Sequence, residues 1–307
     1  MHIIETNNLS HTYETFERRI KAVRSLTFSI PQGSACALLG SNGAGKTTTL
    51  KMLLNLLRPT SGTATVLGVD SRKLAPAQFE QIGYVSENQK LPAWDTVRSL
   101  LNFCRALYPA WDREFEARLL KLFELPLDRK LTKLSRGMQM KAKLLSSLAY
   151  HPKLVVMDEP FSGLDPLGRE ELMQGVLDLA GAGDWTMLIS SHDIDDVERL
   201  VDRVAIIEAG ILLFNEPLDS LQSRHRRIHA TFNQGDATPA RPTLPQSCIA
   251  RENMGNHASW IETTFAAQTE EAYRADNPGA TFTTQPMTLK EIYLATVKNS
   301  ASRKGNE

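Results

Sequence analysis

The chain has 307 residues, 42% of them hydrophobic and 23% charged. This composition excludes a disordered or fibrous protein and leaves length for two domains, or for one large domain with an appendage. Lys+Arg and Asp+Glu both number 35, so the formal charge balance excludes a bulk attraction to nucleic acid or anionic lipid. The longest uncharged run, Ser25 to Gly45, is broken by Pro31, Gly33, Gly40 and Gly43 and cannot span a bilayer. The opening MHIIETNNLS lacks the basic-then-apolar pattern of a secretory signal, and Cys36, Cys104 and Cys248 fit neither a disulfide framework nor a metal pair. A cytoplasmic protein with structural thiols is expected.

From His2 to about Leu67 the pattern is strand-rich, with runs HIIETNNL, SLTFSI and SACALL separated by turn residues. One helix interrupts it, Lys46 to Leu57, in which Leu50, Leu53, Leu54 and Leu57 recur at helical spacing before Arg58-Pro59. A short strand around Ile82 to Val85 leads into a helical subdomain, about 88–150, carrying DTVRSLLNFCRALY, REFEARLLKLFEL and SRGMQMKAKLLSSLAY. Strands and helices then alternate through KLVVMD, PLGREELMQGVLDLA, WTMLIS, IDDVERL and RVAIIEA, which implies a largely parallel sheet. At about Gln222 the texture changes to the basic cluster Arg224-His225-Arg226-Arg227 and a proline-containing stretch. A domain boundary is placed there, giving 1–221 and 222–307. The tail offers strands at RRIHATF, SCIAREN, HASWIETT and ATFTTQ and helices near Thr269 to Ala275 and Leu289 to Val297, a small α+β appendage.

Gly40-Ser41-Asn42-Gly43-Ala44-Gly45-Lys46-Thr47 follows a predicted strand and opens a predicted helix, the context that makes G-x-x-x-x-G-K-[ST] a phosphate-binding P-loop. Its glycines let backbone N–H groups turn onto phosphate oxygens, and the helix N-terminus adds the positive end of its dipole. Lys46 would reach the β- and γ-phosphates and Thr47, followed by Thr48, would ligate Mg²⁺. The apolar run Leu154 to Met157 ends in Asp158, a holder of Mg²⁺ through water, and Glu159, a general base for the attacking water.

Leu134-Ser135-Arg136-Gly137-Met138 then resembles the LSGGQ signature of ATP-binding-cassette (ABC) transporter nucleotide-binding subunits, with Arg136 and Met138 in place of the family residues. It is similar to variants of the exporter-type branch, whose permeases are separate polypeptides. The resemblance covers roughly Ile3 to Leu221 and extends to Ser162-Gly163-Leu164-Asp165 as D-loop and to His192 as the histidine that contacts the γ-phosphate. It implies an α/β P-loop NTPase fold with a mixed-sheet core, an antiparallel β subdomain and a helical subdomain. Tyr13 resembles the aromatic that stacks on adenine, with a half-exposed strand tyrosine as the rival reading. Glu87 stands where the family carries the Q-loop glutamine, and a carboxylate there can accept Mg²⁺ or its waters.

In this family the signature faces a nucleotide held by the opposite subunit. The resemblance therefore implies a head-to-tail homodimer that sandwiches two Mg·ATP, with Ser135 and Gly137 of one chain closing the site of the other. It also implies ATP hydrolysis coupled to transport, an integral membrane permease as partner, no nucleic-acid partner, and a place on the inner face of the cell membrane. Trp94, Phe103, Tyr108 and Trp111 are candidate walls of a groove for a permease helix, or else core residues of the helical subdomain. The alternative is a soluble ABC ATPase acting on the ribosome or nucleic acid. Ribosomal members usually carry two cassettes, and DNA-repair relatives insert a long coiled coil before the signature; this sequence has neither.

Overall fold

The computed structural model describes residues 1–14, 18–92, 96–180, 185–232, 247–276 and 279–304. It divides into two compact units, Met1–Asn215 and Glu216–Glu307.

The first unit opens with β1 (His2–Glu14), β2 (Arg19–Leu26), β3 (Ser29–Pro31) and β4 (Ala35–Leu39), followed by α1 (Lys46–Leu53), β5 (Ser61–Val66) and β6 (Val69–Asp70). The run SLTFSI does not form one strand: Ser25 takes a positive φ of 53°, and the chain steps from β2 to β3, both of which pair with β1. Helix α1 stops four residues before the predicted Leu57. Leu54 leaves helical geometry and Asn55 turns left-handed at φ 57°. The helical region contains α2 (Pro76–Phe79), β7 (Ile82–Ser86), α3 (Val97–Leu107), α4 (Arg113–Leu122) and α5 (Arg136–Leu148). Side chains of Thr96, Asp112 and Ser135 cap α3, α4 and α5 at their first turns. Then come β8 (Leu154–Asp158), α6 (Pro166–Ala180), β9 (Thr186–Ser191), α7 (Ile194–Val197), β10 (Arg203–Glu208) and β11 (Ile211–Pro217). The predicted helix IDDVERL is regular only over α7.

Two sheets result. One is antiparallel, in the order β2-β1-β5-β6, with β3 also on β1; the other runs β11-β10-β4-β9-β8-β7. In the second, β10 to β7 pair in parallel, as the βα alternation requires. Strands β4, β8 and β9 are almost wholly buried, which explains their unbroken apolar runs. Ile4, Leu38, Leu50, Val156 and Leu188 belong to one core cluster that joins both sheets and α1.

The second unit contains α8 (Leu218–Arg224), β12 (Arg226–Phe232), β13 (Cys248–Met254), β14 (His257–Glu262), α9 (Thr269–Asp276), β15 (Ala280–Pro286) and α10 (Leu289–Lys304). Its four strands form an antiparallel sheet in the order β13-β14-β12-β15. The core gathers Ile228, Trp260, Tyr273 and Phe282. All three cysteines are buried and free, and burial pushes the Cys36 thiol up to about 12.

Glu262 sits in the second unit at 2% exposure. Burial pushes its carboxyl upward, but hydrogen bonds from the Tyr273 hydroxyl, from Thr264 and from the Cys248 thiol outweigh this and hold it at about 2. A folded-state pKa below the ordinary value gives stability that is complete above the unfolded pKa and is lost as pH falls through the folded one. The second unit should therefore lose stability as pH drops from the ordinary glutamate range towards 2, and Glu262→Gln should flatten that slope. Amide exchange of β12 and β14 as a function of pH measures both.

Candidate functional site

Parallel pairing sets four strand ends side by side. Leu38 of β4 is in register with Ser190 of β9, Ser190 with Asp158 of β8, and Asp158 with Ser86 of β7. Loops leaving these strands at their carboxyl ends must share one edge of the sheet, where open α/β folds bind ligands.

From β4 the chain enters the Gly40–Thr47 loop. A Cβ at Gly40 would meet Ile207 O at 2.2 Å, and one at Gly45, whose φ is 107°, would meet Ala22 O at 2.4 Å. Glycine is required at both places by close backbone approach. Gly43, also at positive φ, has open space where a side chain would stand. Ala44 N donates to Ser41 O at 3.1 Å, closing the turn, and the Ser41 hydroxyl donates to Glu208 at 3.0 Å. Asn42 is exposed at the tip.

Lys46 is 5% exposed. Its Nζ donates to Gly40 O at 2.8 Å and Ser41 O at 3.2 Å and lies 3.1 Å from Glu159 Oε1. The loop's own carbonyls and a facing carboxylate thus compensate the buried ammonium. The Thr47 hydroxyl donates to Asp158 Oδ1 at 3.1 Å, and Ser190 donates to the same oxygen at 2.6 Å. Glu159 takes a left-handed φ of 52°, uncommon for a residue other than glycine, and its N–H donates to Ser190 Oγ at 3.1 Å. Its second oxygen, Oε2, meets His192 Nδ1 at 2.8 Å and accepts the His192 N–H at 3.3 Å. Glu159 therefore bridges Lys46 and His192.

The remaining candidates divide. Tyr13 OH hydrogen-bonds Thr48 Oγ1 at 3.3 Å, and its ring packs edge-on against His11 with centroids 4.5 Å apart. Glu87 joins the strand-end cluster through its backbone, donating to Asp158 O at 3.1 Å. Its carboxylate stands beside Gly163: a Cβ there would lie 3.6 Å from Glu87 Oε1 and 2.8 Å from a terminal nitrogen of Arg136. Ser135 is exposed, caps α5 by accepting from Met138 N at 3.2 Å, and like Gly137 shares no hydrogen bond with the P-loop among the described residues. Two residues that receive no role from the sequence are Ser190, which shares Asp158 with Thr47, and Lys143, whose Nζ donates to Ser86 O and Glu87 O. Ser190 had one available signal, its place just before His192 at the end of a buried strand. Lys143 had none, being one lysine in a mixed helix.

The oxygen donors of Thr47 and Asp158 suit a hard divalent cation whose other ligands are phosphate and water. Among the described residues no cluster of three or more His, Cys, Asp or Glu side chains forms a metal site of its own.

A separate cleft of 390 Å³ lies between α3, α5 and β7, with Leu100, Phe103, Leu107, Tyr108 and Tyr150 in its walls. Phe103 is 62% and Leu107 55% exposed, while the rings of Tyr108 and Tyr150 stack at 3.9 Å. Trp111 is not in these walls; its indole N–H donates to Glu116 Oε2 at 2.7 Å, tying the start of α4 to Arg105 of α3 through the shared Glu116. Trp94 lies outside the described residues. Among the described residues no helix is long and apolar enough to cross a membrane.

The sequence pattern of the family described as ABC transporter matches residues 23–162. The bacitracin transport ATP-binding protein BcrA of Bacillus licheniformis is 34% identical over 246 residues, 80% of this chain and 79% of the relative. Among solved structures, cbiO1 from Clostridium perfringens, part of the ABC transporter complex cbiONQ, superposes with a TM-score of 0.60 at 25% identity, covering 72% of this chain and 91% of its own. A dimeric post-hydrolysis state of the ATP-binding cassette MJ0796 bound to ADP and Pi shares the fold, with a TM-score of 0.63 at 24% identity over 70% of this chain and 98% of its own. The buried strand-end cluster, the P-loop and these likenesses agree: the chain belongs to the ABC transporter family, as one of its ATP-binding, ATP-hydrolysing proteins.

Proposed function

We propose that the chain is the energy-supplying subunit of an exporter, working as a head-to-tail homodimer on a separate membrane permease from the cytoplasmic face. The observation that carries this reading is Glu159 held between Lys46 and His192. When a triphosphate enters, Lys46 exchanges its own loop carbonyls for phosphate oxygens. Glu159 is then free to take a proton from an attacking water, and His192, hydrogen-bonded to that carboxylate, senses the γ-phosphate. Gly40 to Gly45 supply backbone donors, and Tyr13, beside Thr48, offers a ring to the adenine. Thr47 and Asp158 would hold Mg²⁺, with Glu87 as a further oxygen donor. The ion when bound neutralises phosphate charge.

This reading of a dimer is supported by the exposure of Ser135 and by the lack, among the described residues, of a hydrogen bond from Ser135 or Gly137 to their own P-loop. A second chain can bring that cradle to the nucleotide, and MJ0796 gives a fold-level precedent for a dimeric cassette with ADP and Pi. Release of phosphate would remove the charge that bridges the two chains and reopen them.

The apolar cleft beside α3 suits an amphipathic helix from the permease. BcrA is named for bacitracin transport, and cbiO1 belongs to a multi-subunit transporter. These names favour a drug-type cargo and a separate spanning subunit.

Three outcomes test the proposal. Glu159→Gln should lower kcat by about 10²- to 10⁴-fold while ATP still drives dimer formation on a sizing column; rapid turnover by that variant contradicts the assignment. Ser135→Arg mixed with Lys46→Ala should restore about half a site per dimer, whereas each variant alone hydrolyses little ATP. Phe103→Glu should leave turnover of the isolated chain within about twofold and abolish co-purification of a multispanning protein in mild detergent.

A further inference from the structure

Among the described residues strand β7 pairs only with β8 and forms one edge of the six-stranded sheet. An edge strand leaves alternate carbonyls without a ladder partner. Here helix α5 and the turn after it meet them with side chains: Tyr150 OH donates to Ile82 O at 2.8 Å, Ser147 Oγ to Tyr84 O at 3.0 Å, and Lys143 Nζ to Ser86 O at 3.0 Å. Steps of three and four residues along a helix, about 4.5 to 6 Å, nearly match two-residue steps of about 6.5 Å along a strand. Two rungs are neutral. The third is a cation, and it falls at the end of the strand that leads into Glu87.

Lys143 is 4% exposed, and its Nζ also donates to Glu87 O at 3.2 Å. Burial lowers its pKa, and the Glu87 charge opposes that shift. Two carbonyl oxygens alone do not balance a buried ammonium, so a nearby carboxylate is needed to keep it charged. The Glu87 charge acts in that direction. Arg136, seven residues earlier and two turns away on the same face of α5, brings its guanidinium to Gly163, where the Glu87 carboxylate also stands. Glu87 is in turn fixed to Asp158 by its backbone N–H at 3.1 Å. Two of the three places where this sequence departs from the family's motifs, Arg136 and Glu87, are therefore spatial neighbours of opposite formal charge.

We propose that Lys143 is a positioning residue which, together with Arg136, holds the acidic Glu87 loop against the signature helix and offsets the charge that Glu87 adds beside Asp158 and Glu159. The signature helix and the Glu87 loop then move as one piece. A change at the signature is passed within the same chain to the strand end that carries Asp158. The kinetic consequence rests on the ATPase site proposed above; the mechanical one does not.

Amide exchange of the nucleotide-free, full-length chain tests the clamp. Lys143→Met should speed exchange across residues 86–89 at least fivefold, while Lys143→Arg stays within twofold; unchanged exchange in Lys143→Met overturns the proposal. Arg136→Gln, at an exposed position that cannot unfold the chain by leaving a cavity, should shift the same segment about threefold. ATP turnover tests the charge coupling. Lys143→Met should lower kcat about tenfold with KM for ATP within threefold, and should cost less than threefold when introduced into Glu87→Gln. An equal loss in both backgrounds rejects the electrostatic link. A wild-type chain that fails to hydrolyse ATP would sink the catalytic reading, and the exchange result would still decide the clamp.

Discussion

Parallel pairing of β4, β9, β8 and β7 in a single register is the constraint from which the site follows. It places Leu38, Ser190, Asp158 and Ser86 on one rung, so chain segments far apart in sequence leave the sheet at the same edge. A slip of one residue would turn each of these side chains to the opposite face.

That edge concentrates charge, and the electrostatics are settled locally. Lys46 is solvated by carbonyls of the loop it belongs to and faced by Glu159, while Asp158 accepts two hydroxyl protons, from Thr47 and Ser190. A hydroxyl donor satisfies a carboxylate oxygen without bringing a counter-charge to it. Glu159 spends one oxygen on each of two cationic or protonatable partners. The Lys46 side of the sheet edge and the His192 loop are thereby tied through one carboxylate.

The Gly163 and Arg169 regions extend the same logic outward. Arg169 of α6 reaches Asp193 at 2.9 Å and Asp196 at 3.1 Å, joining α6 to the segment after His192. On the other flank, α5 and the turn after it meet the outward carbonyls of β7 with a row of side-chain donors. The elements bearing the candidate motifs are thus connected through the sheet edge and not merely adjacent in sequence. The second unit has its own sheet and aromatic core, with Trp260 fully buried, and its buried polar cluster around Glu262 is satisfied internally.

Read from the residues alone, the chain already declared its P-loop, its buried strands and its family, because these depend on local chemistry: glycines where the backbone must turn, unbroken apolar runs where both faces are covered, carboxylates at a strand end. Element boundaries were less legible. The end of α1 at Leu53 and the break at Ser25 hinge on left-handed residues, Asn55 and Ser25, that carry no distinctive sequence mark. Trp111 reads equally as a groove wall or a core residue, because aromatic character does not say which neighbour a side chain will meet; only packing gave it Glu116. Ser190, Lys143 and the meeting of Arg136 with Glu87 required the tertiary structure, since each arises from partners brought together by strand register and helix packing across dozens of residues. Sequence marked which groups are candidates for chemistry with phosphate, and the sheet decided which of them stand within reach of one another.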